Sequence, residues 1–478
     1  MKQEMKRMNI LAIYGAIVIA ATACGSTSNK STQEEQVAVE AVPTMGYVNG
    51  VSDANAGMRT GEVELKGTIQ ARNFTKMYLY STYGKNNSVV DSTAIVDGKW
   101  DFGKIKIEQG IYMLGIAENN LAPIILNPSE PVTEVGFRSG RMDGSLFAIN
   151  SNENKAWTTY IPQEVQLQKA IKDAMIAMNK SSLKGEYQKQ INDKQAELSA
   201  LQAKMIAEYP NTHFAKIVTW KQEPSLTEIG KYWENIDFSD RSLIHGTILS
   251  DRIQNFMRSF SKGQESGCIN CVSVVAEAAK ADDVVLEFAL NQMLIGFYES
   301  GMENISTFII DNYVNGDSCG DADLSNIIKS TAESIQKLSI GNVPPNIQMT
   351  TSTGGSFDLF KTTAKNKYTL VLFWSSWCEH CQGEAPEVKQ YYDLWHPKGF
   401  EIIGVSVDNN KNAWLSAIQD RGFTFPNVCG MKIWDSPVAK DYRVTKTPTF
   451  YLLDTNGKIV LKPKSIREVN NFLSQNLK

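Results

Sequence analysis

The stretch that most constrains the fold is YTLVLFWSSWCEHCQGEAP, residues 368–386. Tyr368 to Trp374 form a near-continuous apolar run, the pattern of a strand buried on both faces rather than on one. After a short turn come Cys378 and Cys381, and a helical pattern then continues from Glu379 to Trp395. A second apolar run, FEIIGVSV, follows that helix. TFYLLD and KIVLKP, joined by Thr455-Asn456-Gly457, read as a closing hairpin, and IREVNNFLSQNL as a last helix. Buried strands alternating with helices predict an α/β layered domain over residues 341–478. The dithiol then sits where a buried strand ends and a helix begins.

That position has a chemical use. At a helix N-terminus, unpaired N–H groups and the helix dipole stabilise a thiolate, the species that attacks a disulfide. Cys378 is thus the expected nucleophile. Cys381, one turn further in and expected to be more buried, is the resolving thiol. His380, when protonated, favours the Cys378 thiolate, and Glu379 opposes it. A zinc site needs four ligands, and nothing nearby supplies a second pair. A purely structural disulfide is the plainer alternative.

The chain has 478 residues, too many for one ordinary core, and a formal net charge of -4, which gives no support to nucleic-acid binding. Seven cysteines are too few for a disulfide scaffold of this size. Lys2, Lys6 and Arg7 precede an apolar run from Ile10 to Ala21 that is too short to span a bilayer stably. The run ends at Ala21-Thr22-Ala23 before Cys24. This is the layout of a signal peptide (residues 1–24), and the cysteine resembles that of a bacterial lipobox, in which Cys24 becomes the lipidated N-terminus. The expected location is the bacterial cell envelope, attached to a membrane through a lipid anchor, where disulfides persist.

Residues 25–60 read as a flexible polar tether. Residues 61–150 carry short alternating runs (EVELKGTIQ, KMYLYSTYG, STAIVDGKWDFGKI, GIYMLGIAE) with a hairpin signal at Asp97-Gly98, and predict a small β domain. Residues 151–340 predict a helical region, from apolar residues at three- and four-residue intervals in QEVQLQKAIKDAMIAMNK and EYQKQINDKQAELSALQAKMIAEYP. The paired prolines of GNVPPNIQ mark the boundary before the α/β domain. The fold class is therefore multidomain, β then α then α/β.

The C-terminal region resembles the thioredoxin fold and, within it, the ResA/TlpA-like thiol–disulfide oxidoreductases. The matching residues are FWSSWCEHC, Glu384-Ala385-Pro386, GVSVD (404–408), WDSPVAKDYRV (434–444) and TKTPTFYLLDTNGKIV. The resemblance implies that Pro448 is a cis-proline facing the dithiol. It also implies that Thr447, with Trp377 nearby, positions a client chain and that Pro386 bends the active-site helix. Where thioredoxins carry a buried aspartate this chain has Leu372, and Glu384 fills the ResA-like position for a proton donor or acceptor with a raised pKa. The region ahead loosely resembles the β-rich domains that precede thioredoxin modules in envelope lipoproteins.

A second Cys-X-X-Cys, Cys268 and Cys271, reads as a short structural disulfide, with a redox relay as the alternative. Cys319 is open as a third thiol or ligand, and Cys429 is incidental. His213, His245 and His396 read as structural. The function expected is disulfide exchange with protein clients, as a reductant recharged by a membrane electron-transfer partner and without a cofactor or metal. A disulfide oxidant or isomerase is the near alternative. A surface binding or dimerising protein, such as a homodimer, with the thioredoxin-like region as an appendage, is the distant one.

Overall fold

The computed structural model describes residues 59–71, 73–222, 224–315 and 326–477. The expected signal peptide, Cys24, nearly all of the tether and Cys319 lie outside these residues.

Eight strands come first: β1 (Thr60–Ile69), β2 (Lys76–Tyr83), β3 (Asn86–Val96), β4 (Lys99–Glu108), β5 (Gly110–Ala117), β6 (Asn120–Leu126), β7 (Val132–Phe137) and β8 (Leu146–Asn150). Their order is β6-β5-β2-β3-β4-β1-β7-β8, with β1 and β7 parallel. Alternation decides the inner face: Val63, Leu65, Met77, Leu79, Leu114 and Val135 are buried together, so the two halves of the sheet share one core. β6, β7 and β8 extend the run of strands named from sequence. β6 contains Pro123, which argues against a central strand, and it lies at the sheet edge where proline is tolerated.

Eight helices follow: α1 (Asn152–Lys180), α2 (Lys184–Glu208), α3 (His213–Lys221), α4 (Ile248–Phe260), α5 (Glu265–Ala279), α6 (Asp283–Ser300), α7 (Glu303–Ile309) and α8 (Asn326–Lys337). Ser151 caps α1 by accepting from Asn154 N. Buried Glu153 accepts from Asn127 Nδ2 and from the backbone N–H groups of His213 and Phe214, tying the β region to the start of α3. Asp282 splits the apolar run 274–299 into two helices by capping α6.

The last region holds β9 (Gln348–Thr350), β10 (Ser356–Asp358), α9 (Leu359–Thr363), β11 (Tyr368–Trp374), α10 (Glu379–Trp395), β12 (Phe400–Ser406), α11 (Lys411–Asp420), β13 (Asn427–Cys429), α12 (Pro437–Asp441), β14 (Thr449–Asp454), β15 (Ile459–Leu461) and α13 (Ile466–Asn476). The sheet order is β13-β12-β11-β14-β15, with β11, β12 and β13 parallel and β14 antiparallel to β11. Along β11, Leu370, Leu372 and Trp374 pack with Val388, Trp395 and Leu473 from α10 and α13. Val371 and Phe373 point the other way, into a core continuous with the helical region. Both faces are buried, which is why the strand reads as an unbroken apolar run. The Gly341–Pro345 segment is pinned at both ends. Gly341 N donates to Ile459 O at 2.7 Å, and Tyr442 Oη donates to Pro345 O at 2.6 Å.

Candidate active site

β11 delivers the chain to the carboxyl edge of the sheet, where open α/β folds place their sites. The turn Ser375-Ser376-Trp377 is held from two sides. Buried Asp408, just past the end of β12, accepts from Ser376 N at 3.0 Å and from Ser376 Oγ at 2.6 Å. The Arg421 guanidinium donates to the carbonyls of Ser375 and Ser376 at 3.1 and 3.0 Å and lies over the Trp374 ring at 4.9 Å. GVSVD marked a resemblance without assigning Asp408 a task, and Arg421 carried no signal at all. Spacing along the chain does not show that a carboxylate and a guanidinium from different elements converge on one turn.

Cys378 is the N-cap of α10, with extended backbone angles (φ -81°, ψ 110°), and its Sγ accepts from Cys381 N at 3.0 Å. The two cysteines are joined in a disulfide. Their exposures, 7% and 6%, barely differ, so the expectation that Cys381 is the more buried does not separate them. Helix position does: Cys378 occupies the cap, where backbone N–H groups are free to stabilise a thiolate.

Thr447-Pro448 is a cis peptide, and Cys378 Sγ lies 3.4 Å from Thr447 O. Trp377 is 53% exposed and meets Trp434, 36% exposed, edge to face at 6.0 Å. The structure thus brings Cys378, Cys381, Trp377, Thr447 and Pro448 to one surface. Leu372 is buried in β11, so no titrating side chain stands at that position. Pro386 lies inside α10, where it removes one helical N–H donor.

Glu384 and the exposed His380 line a groove of about 560 Å³ with Glu387 and Arg467. Glu384 Oε2 accepts from Ile466 N at 3.3 Å, at the start of α13. Burial pushes its pKa above the ordinary carboxylate range and Glu387 adds to this. The Ile466 N–H, His380 and Arg467 only partly offset the rise.

The expected Cys268–Cys271 disulfide is not formed; both thiols are free and buried in the core of the helical region. The same spacing falls one turn deeper in its helix. Gln264 is the cap of α5, and Cys268 N already donates to Gln264 O at 2.9 Å. Burial pushes the Cys271 thiol up to about 12. Cys429 is half-buried, with its Sγ 3.4 Å from Asp408 O. His213 is buried against Trp220, and His396 Nδ1 lies 3.0 Å from Phe400 O. Among the described residues no three His, Cys, Asp or Glu side chains are grouped to hold a metal.

A family model described as AhpC/TSA matches residues 340–462. The thiol-disulfide oxidoreductase ResA of Bacillus thuringiensis (strain Al Hakam) is 32% identical over 127 residues, 26% of this chain and 69% of that protein. The chain belongs to the ResA family of thiol–disulfide oxidoreductases. ResA of Bacillus subtilis (strain 168) is 30% identical over 125 residues, 26% of this chain and 67% of that one. A solved thioredoxin domain of a thiol-disulfide oxidoreductase from Bacteroides vulgatus is 31% identical, covering 30% of this chain and 99% of that one at a TM-score of 0.28. The chain is a thiol–disulfide oxidoreductase with a thioredoxin-like C-terminal domain, preceded by a β region and a helical one. The ResA relationship sets aside the view of that domain as an inert appendage.

Proposed function

We propose that this chain reduces disulfides of protein clients in the bacterial cell envelope, where Cys24 anchors it through a lipid. The observation that carries the exchange chemistry is the place of Cys378. Its sulfur accepts from Cys381 N and faces the Thr447 carbonyl, so attack and client docking share one surface. The Cys378 thiolate displaces one sulfur of the client disulfide and forms a mixed disulfide. Glu384 takes the proton of Cys381, whose thiolate then displaces the client from Cys378. Two electrons pass to the client, which leaves as a dithiol, and the Cys378–Cys381 disulfide remains. A membrane electron donor returns the electrons. Thr447 presents its main chain to an extended client segment beside β14, and Trp377 packs on the client's side chains.

The test is the reduction potential of the Cys378–Cys381 pair, equilibrated in glutathione and dithiothreitol buffers. A value near that of thioredoxin, around -270 mV, supports a reductant with a dedicated donor. A value around -120 to -180 mV makes the protein an oxidant or isomerase. A pair that does not cycle removes the exchange mechanism altogether.

A further inference from the structure

The β region contains a second cleft, far along the sequence from the dithiol and used by nothing above. β3 and β4 form a hairpin, yet they pair only at Ile95–Trp100 and Val96–Lys99. Beyond the turn β3 pairs with β2 and β4 with β1, each on its other edge. A bulge on each strand turns the two apart. Val90 has no partner in β2, and Phe102 has none in β1. The second bulge is fixed by Gly103, at φ +66°, whose N–H donates to Asp101 Oδ1 at 2.7 Å. Thr93 Oγ1 donates to Asp101 O at 2.6 Å where the fork begins.

Between the splayed strands lies a cleft of about 1050 Å³, floored by β1 and β2. His245, from the helical region, reaches into it. It is 8% exposed and stacks on Tyr112, and its Nδ1 lies 2.8 Å from Thr82 O. That carbonyl only accepts, so Nδ1 carries a proton. Nε2 is buried without a hydrogen-bond partner among the described residues, and its nearest polar neighbour is another acceptor, Glu108 Oε2 at 3.5 Å, so the geometry sets Nε2 as a donor too. A buried donor with no hydrogen bond is costly to leave that way and marks a place for a ligand carbonyl oxygen.

We propose that this cleft binds an extended polypeptide segment, which pairs through its main chain with the free edges of β3 and β4 and accepts from His245 Nε2 through a carbonyl oxygen. Glu62, Asp91 and Glu108 are set against Lys104 and Lys106, so neither sign of charge dominates the lining. What the cleft does offer in excess is unpaired strand edge, the feature that β-strand addition uses. Val89 and Val90 stand exposed on β3 beside it, apolar contacts for alternate side chains. The site would hold an unfolded client away from the dithiol and so adds to the proposed reductase function without depending on it.

The probe is reduced, S-carboxymethylated α-lactalbumin, an extended polypeptide that cannot exchange disulfides. Hydrogen exchange of the full chain with and without it should show new protection at residues 86–94 and 101–108. Val90→Trp, which fills the mouth, should weaken binding about tenfold, the loss of one or two net contacts. His245→Asn keeps a donor to Thr82 O, removes the Nε2 donor, and should weaken binding by a similar factor. Both variants should keep the exchange rate of Cys378–Cys381 with dithiothreitol. Protection confined to Trp377 and Trp434, or none, overturns the proposal. So does protection that is present before the probe and vanishes on deletion of residues 25–58, or on dilution of the protein. In those cases the preceding segment or a second copy occupies the cleft. A dithiol that fails to cycle while the cleft still binds would overturn only the function proposed above.

Discussion

Cys378 and Cys268 each begin a Cys-X-X-Cys, and one helical turn separates their chemistry. Cys378 caps α10 and its sulfur collects an N–H, whereas Cys268 lies a turn past the Gln264 cap of α5, in an apolar core. Thiol reactivity follows. Cys378→Ser should reduce client disulfide exchange to background, and Cys381→Ser should trap a mixed disulfide visible on non-reducing gels. Iodoacetamide should label reduced Cys378 at neutral pH and leave Cys271, held near 12, unlabelled until the protein unfolds. In the proposed mechanism Glu384 supplies the pH dependence. Its raised pKa keeps it protonated to higher pH than an ordinary carboxylate, and as the proposed acceptor of the Cys381 proton it would act only when ionised. The resolving rate should therefore rise as pH climbs through that value. Glu384→Gln should flatten this limb and lower the plateau about a hundredfold or more, as measured by stopped-flow Trp fluorescence. A normal pH profile in the variant would remove Glu384 from proton transfer.

The element that positions the dithiol is the turn between β11 and α10, and its rigidity comes from elsewhere in the chain. Asp408 accepts from Ser376 and also from Ser406 Oγ at 2.6 Å, while Arg421 satisfies two carbonyls of the turn. Asp408→Ala leaves the Ser376 donors without this partner and should cost about 1.5–3 kcal/mol in urea unfolding, the range for hydrogen bonds to charged groups. Its exchange rate should fall as well, because Cys378 follows Ser376 by two residues. The strand and helix on either side were legible from apolar patterning. The clamp was not, since pairing a carboxylate with a backbone N–H across 32 residues depends on the parallel register of β11 and β12.

At the scale of the whole molecule, the second face of the C-terminal sheet belongs to the helical region as much as to its own domain. Tyr298 Oη lies 3.2 Å from Tyr451 Oη, and Lys462 pairs with Glu303 at 2.5 Å while its Nζ sits 4.3 Å from the Tyr298 ring centroid. Tyr298→Ala with Lys462→Ala should loosen this contact. Limited proteolysis should then cut within residues 338–346, a segment the parent chain holds through Ile459 and Tyr442. Exchange at the dithiol should persist. An unchanged digest would mean the two regions are held by the shared apolar core alone. The sequence by itself determined the β, α and α/β order, the active-site helix from Glu379 to Trp395 and the residues that line up with the dithiol. The order and the helix follow from local periodicity, which a chain carries wherever it folds, and the residues that line up with the dithiol follow from the resemblance of short motifs to the ResA/TlpA-like family. Tertiary structure alone decided that Asp408 and Arg421 grip the turn, that Cys268 and Cys271 stay apart, and that β3 and β4 open around His245. Each depends on the register at which distant segments meet, and side-chain spacing along the chain does not encode register.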